Sequence, residues 1–215
     1  MTNLSSKKKK IFKGSISRLL VVAGHSGSGK TTFLHDSVRY LNVTNYPPNL
    51  EDFHDLTKDH IEVMRLGLLK KKRYENLCLH VDLSNPIRWH QPSPQSHTEL
   101  KDLICPEMYE NWEELDQYMR QAEHLDIVIY FVNREVHFSR IVYDKNLRDS
   151  NGKRKIDSVI AAVCGDSTDN SSIHRQVYRA WIEYTAKLES RSIAVIDANT
   201  DEYRFMEESE FLREI

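Results

Sequence analysis

RLLVVAGHSGSGKT, residues 18–31, is the stretch on which the reading of the chain turns. Its first six residues are an apolar run that ends at a glycine, which predicts a short buried strand over 18–23. The next eight, Gly24-His25-Ser26-Gly27-Ser28-Gly29-Lys30-Thr31, fit the phosphate-loop pattern G-x-x-x-x-G-K-[ST] at every fixed position. Residues 30–41 follow with Phe33, Leu34, Val38 and Leu41 on one helical face. Strand, glycine-rich turn and helix, in that order, form the context in which the pattern has physical meaning. Of the seven glycines in the chain, Gly24, Gly27 and Gly29 all fall within this turn.

The composition of the turn has a chemical reason. A loop that wraps a β-phosphate must aim successive backbone N–H groups inward, and glycine allows the dihedral angles and close approach this requires. Residues 24–32 are therefore the expected nucleotide-binding set, with His25, Ser26 and Ser28 at the variable positions. The helix starting near Lys30 adds its positive N-terminal end. Lys30 is predicted to reach the β- and γ-phosphates, the Thr31 hydroxyl to ligate Mg²⁺, and Thr32 to donate to an α-phosphate. The second expected part is an acidic residue closing a neighbouring strand. Asp82, in the apolar run LCLHVDL at 77–83, fits as a metal ligand, directly or through water. Residue type leaves open a general-base role for it instead. His80 reads as an interior histidine.

Outward from this site, apolar runs predict further strands at 77–83, 126–132 and 192–197. Helical spacing predicts helices over 56–74, 106–123, about 135–147 and 173–188. NYPPN at 45–49 and the proline-rich 86–96 read as breaks. Continuously apolar strands alternating with helices imply a three-layer α/β fold, its mostly parallel sheet covered by helices on both faces. One domain over 18–215 is expected after a flexible basic lead-in at 1–17. Met108, Trp112, Leu115, Met119, Trp181 and Tyr184 are expected core residues.

The 215 residues are 40% apolar and 29% charged, enough for a sizeable core under a polar surface. The near balance of 30 basic and 32 acidic side chains argues against a dedicated nucleic-acid binder. No apolar run nears the roughly 18 residues of a membrane helix, and the basic start lacks a signal-peptide core. A soluble, cytoplasmic protein without membrane insertion is expected. The lysines at 7–10 read as a solvated tail or a contact for an anionic surface. Cys78, Cys105 and Cys164 have neither disulfide nor zinc-ligand spacing.

Three features resemble the small P-loop kinases, the branch of the P-loop nucleoside triphosphate hydrolase superfamily that includes nucleoside monophosphate, shikimate and gluconate kinases. The phosphate loop lies near the start of a chain of suitable length. DIVIYFVNREVHFSRIVYDKNLR, at 126–148, looks like the late strand, arginine-bearing helix and lid of that branch. SIAVIDANTDEY, at 192–203, looks like the closing strand and base-contacting loop. The resemblance implies Mg²⁺-dependent phosphoryl transfer from ATP, or GTP, to a small-molecule acceptor. Lys30, Asp82, Arg140 and Arg148 would be its catalytic residues. Its lid would span about 140–157, with Arg154, Lys153 and Lys155 as further cations and Gly152 as a turn. The acceptor site would lie within 44–76, where Asp52, His54, Asp55, Arg65 and Arg73 are candidates, or over the loops after Asp82. Where several nucleotide kinases carry Asp-Arg or Glu-Arg-Ser, this chain has Asp82-Leu83-Ser84-Asn85-Pro86, which points to a different acceptor.

Rival classes lack their signatures. A signalling GTPase wants D-x-x-G and N-K-x-D, but Leu, Ser and Asn follow Asp82, and Asn133-Arg134-Glu135-Val136 has no aspartate. An ABC-type or motor ATPase wants a signature or a catalytic glutamate directly after the strand-ending aspartate, where Leu83 stands. A sulfotransferase loop lacks the full G-K-T. The remaining alternative is a slow nucleotide-dependent regulatory module acting through a protein partner, with the basic tail and acidic C-terminus as contact surfaces.

Overall fold

A computed structural model describes residues 12–25, 27–35, 61–63, 73–83, 112–143, 171–189, 191–200 and 203–215. The chain is α/β. Its central strand, β1 (Ser15–Gly24), is flanked in parallel by β3 (Arg73–Asp82) and β4 (Ala122–Phe131). β2 (Ile61–Val63) extends the sheet beyond β3, and β5 (Arg191–Asp197) extends it beyond β4, both in parallel. β6 (Arg204–Met206) closes that edge antiparallel, giving the order β2-β3-β1-β4-β5-β6.

Side chains alternate across a strand, so a sheet covered on both faces needs apolar residues at every position. Leu19, Val21 and Ala23 of β1 pack into one cluster with Leu77, Leu79 and Val81 of β3 and Leu125, Ile127 and Ile129 of β4. Leu20 and Val22 face the other way, toward Cys78, Val128, Tyr130, Ala194 and Ile196. The first cluster is closed by helices α2 (Trp112–Gln121), α3 (Arg134–Tyr143), α4 (Ser171–Thr185) and α5 (Glu208–Glu214). They contribute Leu115 and Met119, Ile141, Trp181 and Tyr184, and Phe211, respectively. The second cluster receives Phe33 of α1 (Lys30–His35). The expected core roles of Leu115, Met119, Trp181 and Tyr184 therefore hold, while Met108 and the Trp112 side chain lie outside the described residues.

Several boundaries differ from the sequence expectation, each because a strand partner outweighs local pattern. β1 begins at Ser15 because Ile16 is fully buried and pairs with both Tyr74 and Ala122. Phe12 is buried too, and the Gln117 side chain bonds its backbone N–H at 3.3 Å and carbonyl at 3.1 Å. The lead-in thus ends before residue 12; residues 1–11 lie outside the described part. The helix predicted over 56–74 is contradicted where it can be seen, since Ile61–Val63 is a strand and Arg73 and Tyr74 open β3. Short apolar runs fit either period, and here Ile61 pairs with Cys78 in the sheet. The helix predicted over 106–123 gives way at Ala122, where pairing with β1 starts. Asp126, opposite Leu20 within that pairing, is buried and bonded by Arg18 at 2.7 Å and Ser192 at 2.6 Å. The acidic C-terminus, unassigned beforehand beyond the closing strand, folds into β6 and α5.

Candidate functional site

β1 and β4 are neighbours, yet the helix after β1 covers one face and the helix after β4 covers the other. Such a reversal leaves a crevice at the carboxyl ends of the strands, the place where open α/β sheets bind ligands. The glycine-rich loop 24–29 sits there.

Its glycines are required by geometry. A Cβ on Gly24 would stand 2.7 Å from the Tyr130 carbonyl oxygen of β4. Gly27 and Gly29 have φ of 73° and 109°, the left-handed half of the map that side chains avoid. A Cβ on Gly29 would also press on the Tyr130 hydroxyl at 3.2 Å. The loop closes through Ser28 N–H donating to the His25 carbonyl, and α1 opens with Phe33 N–H donating to Gly29. Ser28 Oγ is buried without a hydrogen-bond partner among the described residues.

Lys30 returns across the loop. Its Nζ donates to the carbonyls of Gly24 at 2.7 Å and His25 at 2.6 Å, and the side chain is buried. Burial pushes its pKa down to about 8, the Asp82 carboxylate opposing the shift. Asp82 ends β3 directly beside Gly24, and the next residue, Leu83, donates its N–H to the Gly24 carbonyl at 3.0 Å. From the other side Arg140, in the last turn of α3, donates to the Ser28 carbonyl at 2.6 Å and to the Ala198 carbonyl beyond β5. Tyr130 lies beneath, its phenol pKa raised by burial and then by Tyr203, with Arg140 pulling the other way. Phe33, Tyr130 and Tyr203 form an aromatic cluster with ring centroids 5.1–6.0 Å apart.

His25 is buried among helices. Its ring lies 4.1 Å from that of His174 on α4 and 5.3 Å from that of His137 on α3, with the Tyr178 ring edge-on at 4.7 Å. The start of α3 is set by Asn133, whose Oδ1 accepts from Val136 N–H at 2.9 Å, an N-cap. Asn133 N–H is itself held by Asn199 Oδ1 at 2.6 Å. Asn133→Ala is expected to lower stability by about 1 kcal/mol, read as a denaturant-midpoint shift; an unchanged midpoint would remove the cap from this account.

Of the residues singled out from sequence, Gly24, His25, Gly27, Ser28, Gly29, Lys30, Asp82 and Arg140 come together at the carboxyl edge. Thr31 follows Lys30 in the first turn of α1, though its side chain is not among those described. Thr32 is exposed on the same helix. Ser26, Arg148, Lys153, Arg154, Lys155, Gly152 and the acceptor candidates Asp52, His54, Asp55 and Arg65 lie outside the described residues, as does the His80 side chain. Arg73 is brought elsewhere. It pairs with Ser15 at the opposite end of β3 from Asp82, about 30 Å away at roughly 3.3 Å per strand residue. The acceptor role is therefore withdrawn, and Arg73→Ala is expected to leave nucleotide affinity and turnover at wild-type values. A tenfold change in either would contradict this placement.

Tyr130, Tyr203, His137 and His174 were not found from sequence. A tyrosine in the aliphatic run 127–132 was a usable signal for the first; no spacing marks the histidines. Among the described residues, no group of three His, Cys, Asp or Glu side chains is arranged to hold a metal, and no helix is long and apolar enough to cross a membrane. Comparison with known proteins returned no matching family model, no similar curated protein and no similar solved structure.

Proposed function

We propose that this is a P-loop nucleotide-binding protein of the three-layer type, with residues 24–31 holding the phosphates of a nucleoside triphosphate. More particularly, we propose an ATP-dependent kinase of a small metabolite. The observation that carries the reading is the backbone at Gly24, Gly27 and Gly29, set at the switch point of the sheet, with the Lys30 ammonium reaching back to the Gly24 and His25 carbonyls. The residues fit the group. Gly24 and Gly29 let the turn lie against Tyr130 of β4, where a Cβ would clash, and Ser28 Oγ is a buried polar atom without a partner among the described residues. Mg²⁺ accompanying the nucleotide would be held by Thr31 and Asp82 and would neutralise charge on the phosphates. Lys30 would exchange its loop carbonyls for phosphate oxygens, and Arg140 would offer a second cation beside Ser28. Such positioned charges are what phosphoryl transfer asks of a protein, because charge builds on the equatorial oxygens of the transferring group.

The regulatory-module alternative used the acidic C-terminus as a contact surface. Two of its carboxylates, Asp197 and Glu210, are instead paired with Arg204 at 2.9 and 2.8 Å. The kinase reading is tested by Mg²⁺-dependent consumption of ATP and GTP with and without pooled sugars, nucleosides and nucleotides. Acceptor-stimulated turnover supports it; tight nucleotide binding without stimulation would move the assignment to the regulatory module.

A pH dependence follows from Lys30. The group is charged below about 8 and loses its proton as pH rises through that value. Since kcat/KM reports groups of the free enzyme, it is expected to fall by about tenfold per pH unit above roughly 8. A profile flat to pH 9.5 would show that the Lys30 charge does not act on the nucleotide.

A further inference from the structure

His25 occupies the first variable position of the phosphate loop, and its side chain ties that loop to two helices. Nε2 lies 3.0 Å from the His174 carbonyl oxygen. Because a carbonyl only accepts, Nε2 carries the hydrogen. His137 Nδ1 and His174 Nε2 lie 3.2 Å apart. That bond needs one N–H and one lone pair, so charging both rings would set two donors head to head and break it. The three rings are 0%, 1% and 2% exposed for His25, His137 and His174, so water is not at hand to solvate added charge. Tyr178, edge-on to His25, donates to the Tyr130 carbonyl at 3.2 Å, which fixes α4 against the end of β4 under the loop.

We infer that His25 is a positioning residue, and that it forms with His137 and His174 a brace that sets the phosphate loop only while these imidazoles are uncharged, so acidification releases the loop and weakens nucleotide binding. This rests on the reading of residues 24–31 as a nucleoside triphosphate site. The neighbours favour the uncharged form. Burial lowers the pKa of His25 most, followed by His174 and His137, with Lys30 adding to the effect. For His174, burial comes first, then His137, Arg134 and Arg175. The side-chain charges acting from α1, α3 and α4, those of Lys30, Arg134 and Arg175, are cations. Release of the loop would return His25 and His174 toward the ordinary imidazole value of about 6.5. Below that pH the released form binds more protons than the braced form, so the stabilisation is fully present above about 6.5 and is lost as pH falls.

The test compares the full-length wild type with a double variant, His137→Asn with His174→Gln. The two amides can replace the Nδ1···Nε2 hydrogen bond and cannot take up a proton in this range. Mg·ATP affinity is measured from pH 8 to 5.5; protonation of ATP itself is common to both proteins and cancels. The wild-type Kd is expected to rise about tenfold more than that of the variant between pH 7.5 and 5.5. Parallel profiles would overturn the brace. Nuclear magnetic resonance of the nucleotide-free wild type decides the matter even if the variant does not fold. His25 and His174 are expected to stay neutral at pH 6, and the Gly24, Gly27 and Gly29 amides to shift only when those rings protonate. Rings that titrate near 6.5 without moving these amides would sink the proposal. Absence of Mg·ATP binding at pH 7.5 would instead count against the nucleotide site, while the same amide titration would still judge the brace.

Discussion

Lys30→Ala is expected to lower acceptor-dependent turnover by about two to three orders of magnitude, the usual consequence of removing one preorganised charge-stabilising donor. The argument is geometric before it is electrostatic. Nζ is held between two carbonyls of the loop that would enclose the phosphates, at 2.7 and 2.6 Å. A buried cation acts in a low dielectric, so its attraction for a developing negative charge is far stronger than at the surface. Folding should survive, because the substitution also removes a buried charge. Its structural cost falls on Asp82, which loses a nearby cation, and on the Gly24 and His25 carbonyls, which keep the Leu83 and Ser28 N–H groups as donors. Lys30→Met, which keeps the aliphatic stem, separates packing from charge and should be as inactive as the alanine variant. Turnover and Mg·ATP affinity that match wild type in both variants, with unchanged Tm, would end the nucleotide-site reading.

Gly24→Ala is the second large effect, expected to cost about 1–3 kcal/mol of stability as an overpacked site and to weaken nucleotide binding as well. The new methyl would sit 2.7 Å from the Tyr130 carbonyl oxygen, an atom of the sheet backbone. Tyr130 cannot swing aside as a flexible side chain could, because β4 pairs with β1 through Ala23 and Ile129 and the Tyr178 hydroxyl donates to this same oxygen. Either β1 or β4 must therefore shift. Any shift displaces the Gly24 carbonyl, which receives both Lys30 Nζ and the Leu83 N–H. Stability and binding should fall together. A variant with wild-type Tm and wild-type Kd would show that the carboxyl ends of these strands are not packed this closely.

How much was legible beforehand depended on whether the interaction was local. The phosphate-loop pattern occupies eight consecutive residues, and its demands on the backbone are met within them. Gly27 and Gly29, whose positive φ the structure displays, were readable as such. The strands at the centre of the sheet were readable because burial on both faces leaves a continuous apolar run, as in residues 19–23 and 127–132. Helix α4 was readable from its spacing, with Val177, Trp181 and Tyr184 on one side. Asp82 was recognisable as a strand-ending acid, and Arg140 entered through a family resemblance, though what Arg140 touches did not.

Sequence by itself determined the loop, the α/β alternation and the mostly parallel sheet, because periodic burial and glycine dihedrals are properties of neighbouring residues. Tertiary structure decided the rest. Residues 61–63 and 73–74 fit a helical face until a strand partner was present, and hydrogen bonds to that partner outweigh local spacing. Arg73 stood among the acceptor candidates until the parallel register carried it to the far end of β3. Arg140 meets Ser28 across 112 residues, and His25 meets His174 across 149. No periodicity links positions so far apart; only the sheet order, which sets the helices after β1 and β4 on opposite faces, brings them to one edge.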